Sequence, residues 1–77
     1  MKLVLATSKT CGPCHMLKSK LKKDNIELET VEFEEDFEFF KKHQIKGVPK
    51  LLVFENSDVV EIIQGIDDII KKAKNNN

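Results

Sequence analysis

The stretch Leu3-Val4-Leu5-Ala6-Thr7-Ser8-Lys9-Thr10-Cys11-Gly12-Pro13-Cys14-His15-Met16-Leu17 decides how this chain is read. It opens with four apolar residues in a row, the pattern of a strand covered on both faces and central in a mostly parallel sheet. A polar loop, Thr7 to Thr10, follows. Cys14, Leu17 and Leu21 then recur at i, i+3 and i+7, with Lys18, Lys20, Lys22 and Lys23 on other faces, which predicts an amphipathic helix ending near Asp24-Asn25. Pro13 falls in the first helical turn, where a residue without an N–H is tolerated. Both cysteines therefore sit on a strand-to-helix turn, where free backbone N–H groups stabilise an anion.

A Cys-x-x-Cys pair has several readings. As a structural crosslink, a ring of four residues yields only roughly 1.9 kcal/mol on the chain-entropy model, against about 3 kcal/mol for fifteen, so it is a poor staple for a small fold. A zinc site wants four ligands, commonly a second close pair. Only His15 and His43 remain, at no such spacing. Cys11 to His15 also spells the C-x-x-C-H of covalent haem attachment, a short pattern easily met by chance. Met1-Lys2-Leu3 leads straight into a strand with no cleavable export signal to accompany it. A working dithiol fits the strand-turn-helix context best.

At 77 residues the chain has room for one domain, and most of its apolar residues are needed for packing. Hydrophobic residues make up 40% and charged residues 34%, thirteen basic against thirteen acidic. A net charge of zero gives no electrostatic footprint for nucleic acid or an anionic membrane. No apolar run approaches the ~20 residues of a membrane span. One close cysteine pair and no export signal lead us to expect a reducing cytoplasm, and nothing in the chain calls for more than a monomer.

The remainder supplies the other elements. Ile26 to Phe33 reads as a second strand, with Val31 and Phe33 on one face and Leu28 on the other. Glu34-Glu35-Asp36 makes an acidic start, and Lys41-Lys42-His43 a basic finish, to a short helix with Phe37 and Phe40 as core residues. Ile45-Lys46-Gly47-Val48-Pro49 breaks the pattern. Leu51-Leu52-Val53-Phe54 and Val59-Val60-Glu61-Ile62-Ile63 read as a hairpin around the turn residues Glu55-Asn56-Ser57-Asp58. Gly65 closes it, and Ile66, Ile69, Ile70 and Ala73 mark a last helix, with Asp67-Asp68 at its start and lysines towards its end. Asn75-Asn76-Asn77 reads as a frayed tail. The order β-α-β-α-β-β-α predicts an α/β fold, a four-stranded mixed sheet with helices on both faces and the first and third strands central.

With Cys11-Gly12-Pro13-Cys14 opening the first helix, Gly47-Val48-Pro49 before a hairpin strand and Gly65 ahead of the last helix, the chain resembles the thioredoxin superfamily throughout its length. Gly-Pro between the cysteines and the Ile45–Phe54 segment are in the style of thioredoxins. Ser8-Lys9-Thr10, the short chain and Gly65-Ile66-Asp67-Asp68 look more like glutaredoxins. The resemblance implies a minimal thioredoxin fold and thiol-disulfide oxidoreductase activity without a bound cofactor. It also implies a cis Val48–Pro49 bond facing the dithiol, with Val48 and Pro49 meeting the substrate backbone. Thr10 stands where thioredoxins usually have tryptophan, and Leu5 where they have a buried acid. Glutaredoxins usually have Pro-Tyr between the cysteines.

Position assigns the sulfurs their expected roles. Cys11, at the exposed helix start, is the nucleophile, and Cys14, one turn in and on the face of Leu17 and Leu21, is the resolving thiol. A helix N-terminus favours an anion by about 0.3–2 kcal/mol, which lowers the Cys11 pKa below the ordinary thiol value. Lys9 and Thr10, just before Cys11, are expected to join Val48 and Pro49 in meeting the substrate, and His15 reads as a solvated helix residue. The expected function is reduction of protein disulfides, with electrons from NADPH through a thioredoxin reductase-like flavoprotein. The alternatives are a glutaredoxin-like electron donor recharged by glutathione, for example one serving ribonucleotide reductase, and a redox-switch or metal-binding adaptor.

Overall fold

In the computed structural model, which describes residues 1–75, the first apolar run becomes β1 (Lys2–Thr7) and the helix after the cysteines becomes α1 (Gly12–Lys23). The order continues β2 (Glu29–Glu32), α2 (Phe37–Lys42), β3 (Lys50–Glu55), β4 (Asp58–Gln64) and α3 (Ile66–Asn75). The sheet runs β2-β1-β3-β4, so the first and third strands are central, as their unbroken apolar sequence predicts. β1 is parallel to β2 and antiparallel to β3, and β3 is antiparallel to β4.

Alternation along the central strands divides the core between two faces. Leu5 and Leu51 pack with Leu17 and Leu21 of α1 and Ile69 and Ala73 of α3. Ala6 and Leu52 turn the other way, against Phe40 of α2. Helices therefore cover both faces, two on one side and one on the other. The buried positions of α1 are Cys14, Leu17 and Leu21, the residues that share the predicted apolar stripe.

Three expectations need correction. β2 begins at Glu29 rather than Ile26, because the Ile26 amide is spent on the Leu21 carbonyl at 2.9 Å. Asn25 turns the chain there in the left-handed region, φ 57°, ending α1. Phe37 is not a core residue: it is 54% exposed while Phe40 is 3% exposed. On a helix as short as α2 only one residue of that pair reaches the sheet, and Phe37 rests edge-on against Phe33 instead. Asn75 is the last residue of α3, and the expected tail at Asn76 and Asn77 lies outside the described residues.

The hairpin turns through Asn56-Ser57, with Asn56 at φ 60°, a conformation asparagine tolerates. No helix among the described residues is long and apolar enough to cross a membrane.

Candidate active site

β1 delivers the chain to the cysteines and α1 carries it away, so the pair lies beyond the C-terminal end of β1, at the edge where the antiparallel β3 begins. Cys11 is the N-cap of α1. Its sulfur accepts the Cys14 N–H at 3.2 Å, one of the amides that a helix start leaves unpaired. Pro13 occupies the first turn. Cys11 and Cys14 form a disulfide with Cα atoms 5.2 Å apart. The two sulfurs differ in access, since Cys11 is partly exposed while Cys14 is completely buried. Gly12 and Pro13 are exposed, and open space surrounds Gly12 where a side chain would project.

The Val48–Pro49 bond is cis, as the resemblance implied. The Val48 carbonyl oxygen lies 3.8 Å from Cys11 Sγ. In the disulfide this is a contact, because the sulfur has no hydrogen to donate; a Cys11 thiol in the same place could donate to that oxygen. The fold thus brings Cys11, Cys14, Val48 and Pro49 together from distant parts of the sequence.

The loop before Cys11 is tied down by a residue that the sequence reading did not select. Ser8 Oγ donates to Glu34 Oε2 at 2.6 Å, and the Lys9 amide donates to Glu34 Oε1 at 3.0 Å. The Ser8 hydroxyl holds the Glu34 carboxyl below its ordinary value, with the Lys9 amide adding to the effect. Lys9 Nζ lies 3.1 Å from Glu35, whose hydrogen bond and charge raise the Lys9 pKa. Its cation is therefore matched by a carboxylate rather than free beside the sulfurs. Thr10 is exposed, within 3.2 Å of Ser8 Oγ through its own hydroxyl. The His15 imidazole donates to the Lys9 carbonyl at 2.7 Å, closing the loop onto α1.

The acidic run is consequently divided. Asp36 caps α2 by accepting the Phe39 amide at 3.1 Å, leaving Glu34 and Glu35 to the dithiol loop. One cap needs one carboxylate, so the surplus was the signal in the sequence. Among the described residues, no group of three or more His, Cys, Asp or Glu is placed to hold a metal ion.

The family profile described as thioredoxin matches residues 1–75. The chain belongs to the thioredoxin family. NADPH-dependent thioredoxin reductase 3 of Arabidopsis thaliana is 36% identical over 70 residues, a match covering 83% of this chain and 13% of that protein. The chain thus spans only a small part of that relative. Among solved structures, thioredoxin from Malassezia sympodialis superposes with a TM-score of 0.75 at 20% identity, over 94% of this chain and 69% of the other. Oxidised thioredoxin from Plasmodium falciparum gives a TM-score of 0.73 at 19% identity, over 97% and 81%. These likenesses concern the fold. In this thioredoxin-family chain, the cysteine pair that opens α1 is joined as a disulfide.

Proposed function

We propose that the chain reduces protein disulfides, with Cys11 attacking and Cys14 resolving. The observation that carries this is the asymmetry of the pair: the Cys11 sulfur is partly exposed and accepts a helix N-terminal amide, while Cys14 is sealed behind it. In the reduced protein the same amide favours the Cys11 thiolate, the nucleophilic form. That thiolate attacks one sulfur of the substrate disulfide. An Sγ–S bond forms, the substrate bond breaks, and its electron pair leaves on the other substrate sulfur, which takes up a proton. Cys14, as thiolate, then attacks Cys11 Sγ, releasing the second substrate thiol and restoring the Cys11–Cys14 disulfide. Two electrons have passed to the substrate.

The Val48 carbonyl, beside Cys11 Sγ, is placed to pair with an extended substrate segment as a short added strand. The protein works as a cytoplasmic carrier, recharged by a thioredoxin reductase-type flavoprotein drawing on NADPH. The relative from Arabidopsis carries such a reductase in its name.

Cys14→Ser tests the roles. It should accumulate a mixed disulfide through Cys11 with a protein substrate, whereas Cys11→Ser should trap nothing. Trapping by Cys11→Ser would reverse the assignment. Reduction of insulin coupled to NADPH with thioredoxin reductase, compared with glutathione and glutathione reductase, identifies the recharging system. Faster turnover with glutathione would favour the glutaredoxin-like alternative.

A further inference from the structure

Just past the end of β2, the Phe33 amide donates to the Thr7 carbonyl at 2.9 Å. That bond sets the residue after Phe33 beside the residues after Thr7, so Glu34 meets Ser8 and Lys9 although 26 and 25 positions separate them in the chain. Both carboxylate oxygens are engaged there. One accepts the Ser8 hydroxyl at 2.6 Å and the other the Lys9 amide at 3.0 Å. The Ser8 hydroxyl spends its single hydrogen on Glu34, so it accepts from the Thr10 hydroxyl at 3.2 Å and from the Thr10 amide at 3.4 Å.

From the other side, the His15 imidazole holds the Lys9 carbonyl at 2.7 Å. Ser8 to Cys11 therefore form a turn, closed by the Cys11 amide on the Ser8 carbonyl at 3.2 Å and anchored to Glu34 beyond β2 and to His15 on α1. Cys11 is the residue on which this turn ends. Its sulfur stands 3.2 Å from the Cys14 amide, the place where the helix start favours a thiolate.

In the oxidised protein the bond to Cys14 fixes that place. Reduction removes the bond, and the turn before Cys11 is then what holds the sulfur at the helix start. The attraction of a helix end falls off within its first turn, so a loosened turn costs thiolate. We propose that Glu34 is a positioning residue for the attacking thiolate: by tying down Ser8 and Lys9 it keeps Cys11 Sγ on the Cys14 amide once the disulfide has opened. This rests on the reading of Cys11 as the attacking thiol.

The Ser8 hydroxyl and the Lys9 amide hold the Glu34 carboxyl below the ordinary 4.5, so near neutral pH both of its oxygens are free to accept. The cation beside it is Lys9, which is paired with Glu35 and also feels Glu32. The charge of Glu34 works against its geometry, because a carboxylate near a thiol disfavours ionisation. Loss of the anchor lowers the thiolate fraction of Cys11, whereas loss of the charge alone raises it. The two effects therefore differ in sign.

Alkylation of the reduced protein by iodoacetamide, followed across a range of pH, reads the thiolate: the ionised sulfur displaces iodide and forms a carbon–sulfur bond. Peptide mass spectrometry identifies the cysteine modified. Glu34→Ala should slow alkylation of Cys11 about threefold or more at about pH 6. The deficit should close at alkaline pH, where the thiol is ionised in either protein. Glu34→Gln, which keeps an acceptor oxygen without the charge, should recover part of the loss. Ser8→Ala, which removes one of the two bonds to Glu34, should slow the reaction in the same way by less, and it decides the matter if Glu34→Ala does not fold. Unchanged or faster alkylation in Glu34→Ala and Ser8→Ala would overturn the proposal alone, as would a slowing equal at every pH, which reports access rather than ionisation. Modification of Cys14 before Cys11 in the wild type would overturn the reading of the pair, and the proposal with it.

Discussion

Leu17→Ala separates what holds the dithiol helix in place from what the dithiol itself contributes. Leu17 has no exposed surface and belongs to the cluster of Leu5, Leu21, Ile26, Leu51, Ile69 and Ala73. Truncating a buried leucine costs about 2–5 kcal/mol, part transfer and part cavity. The cluster is closed by the sheet and by two helices, so a loss of about 3 kcal/mol is expected. The crosslink spans a sequence separation of only 3 and contributes roughly 1.9 kcal/mol. A chain of 77 residues has a total stability of about 4–12 kcal/mol. Reduction should therefore leave the protein folded and cost it less than losing one leucine. Urea unfolding followed by far-ultraviolet circular dichroism, with and without excess reductant, measures both. At about 1–3 kcal/mol per molar urea, Leu17→Ala should lower the midpoint by about 1–3 M and reduction by about 0.6–2 M, compared at one slope. Ile62→Ala, at a site 47% exposed, is the control and should cost less than about 1 kcal/mol. A larger shift on reduction than on Leu17→Ala would refute the argument, because the crosslink would then be the staple and not a bond free to cycle.

The tie between Glu34 and the dithiol loop should be pH-dependent. Its folded-state pKa is held below the ordinary 4.5, so its stabilisation is present above that value and is lost as pH falls through the lowered one. Hydrogen exchange of the Lys9 amide should follow this loss in the wild type and show no such step in Glu34→Gln; loss of protection above 4.5 would contradict it. Phe40→Ala should cost about 3–5 kcal/mol and Phe37→Ala far less, since only Phe40 is buried; equal losses in thermal unfolding would refute the placement of α2. Gly65 has φ 94°, so Gly65→Ala should lower stability by about 1 kcal/mol or more through backbone strain, read as a lower melting temperature.

The order of elements was legible in the sequence because each is written in consecutive residues. Leu3 to Ala6 and Leu51 to Phe54 are unbroken apolar runs, and both became central strands. Cys14, Leu17 and Leu21 repeat with the helix, and all three are buried. The dithiol and its place at a helix start were legible for the same reason. Contacts between separate segments were not. Nothing in Glu34-Glu35-Asp36 says which carboxylate caps α2 and which returns to Ser8 and Lys9. Helical spacing alone could not divide Phe37 from Phe40, because the angle at which α2 meets the sheet decides which ring is covered. The pairing of Thr7 with Glu32 and the approach of Val48 to Cys11 depend on strand register and on the loop before β3. Periodicity records which face of an element is buried. What that face meets is set only when sheet and helices close on one another.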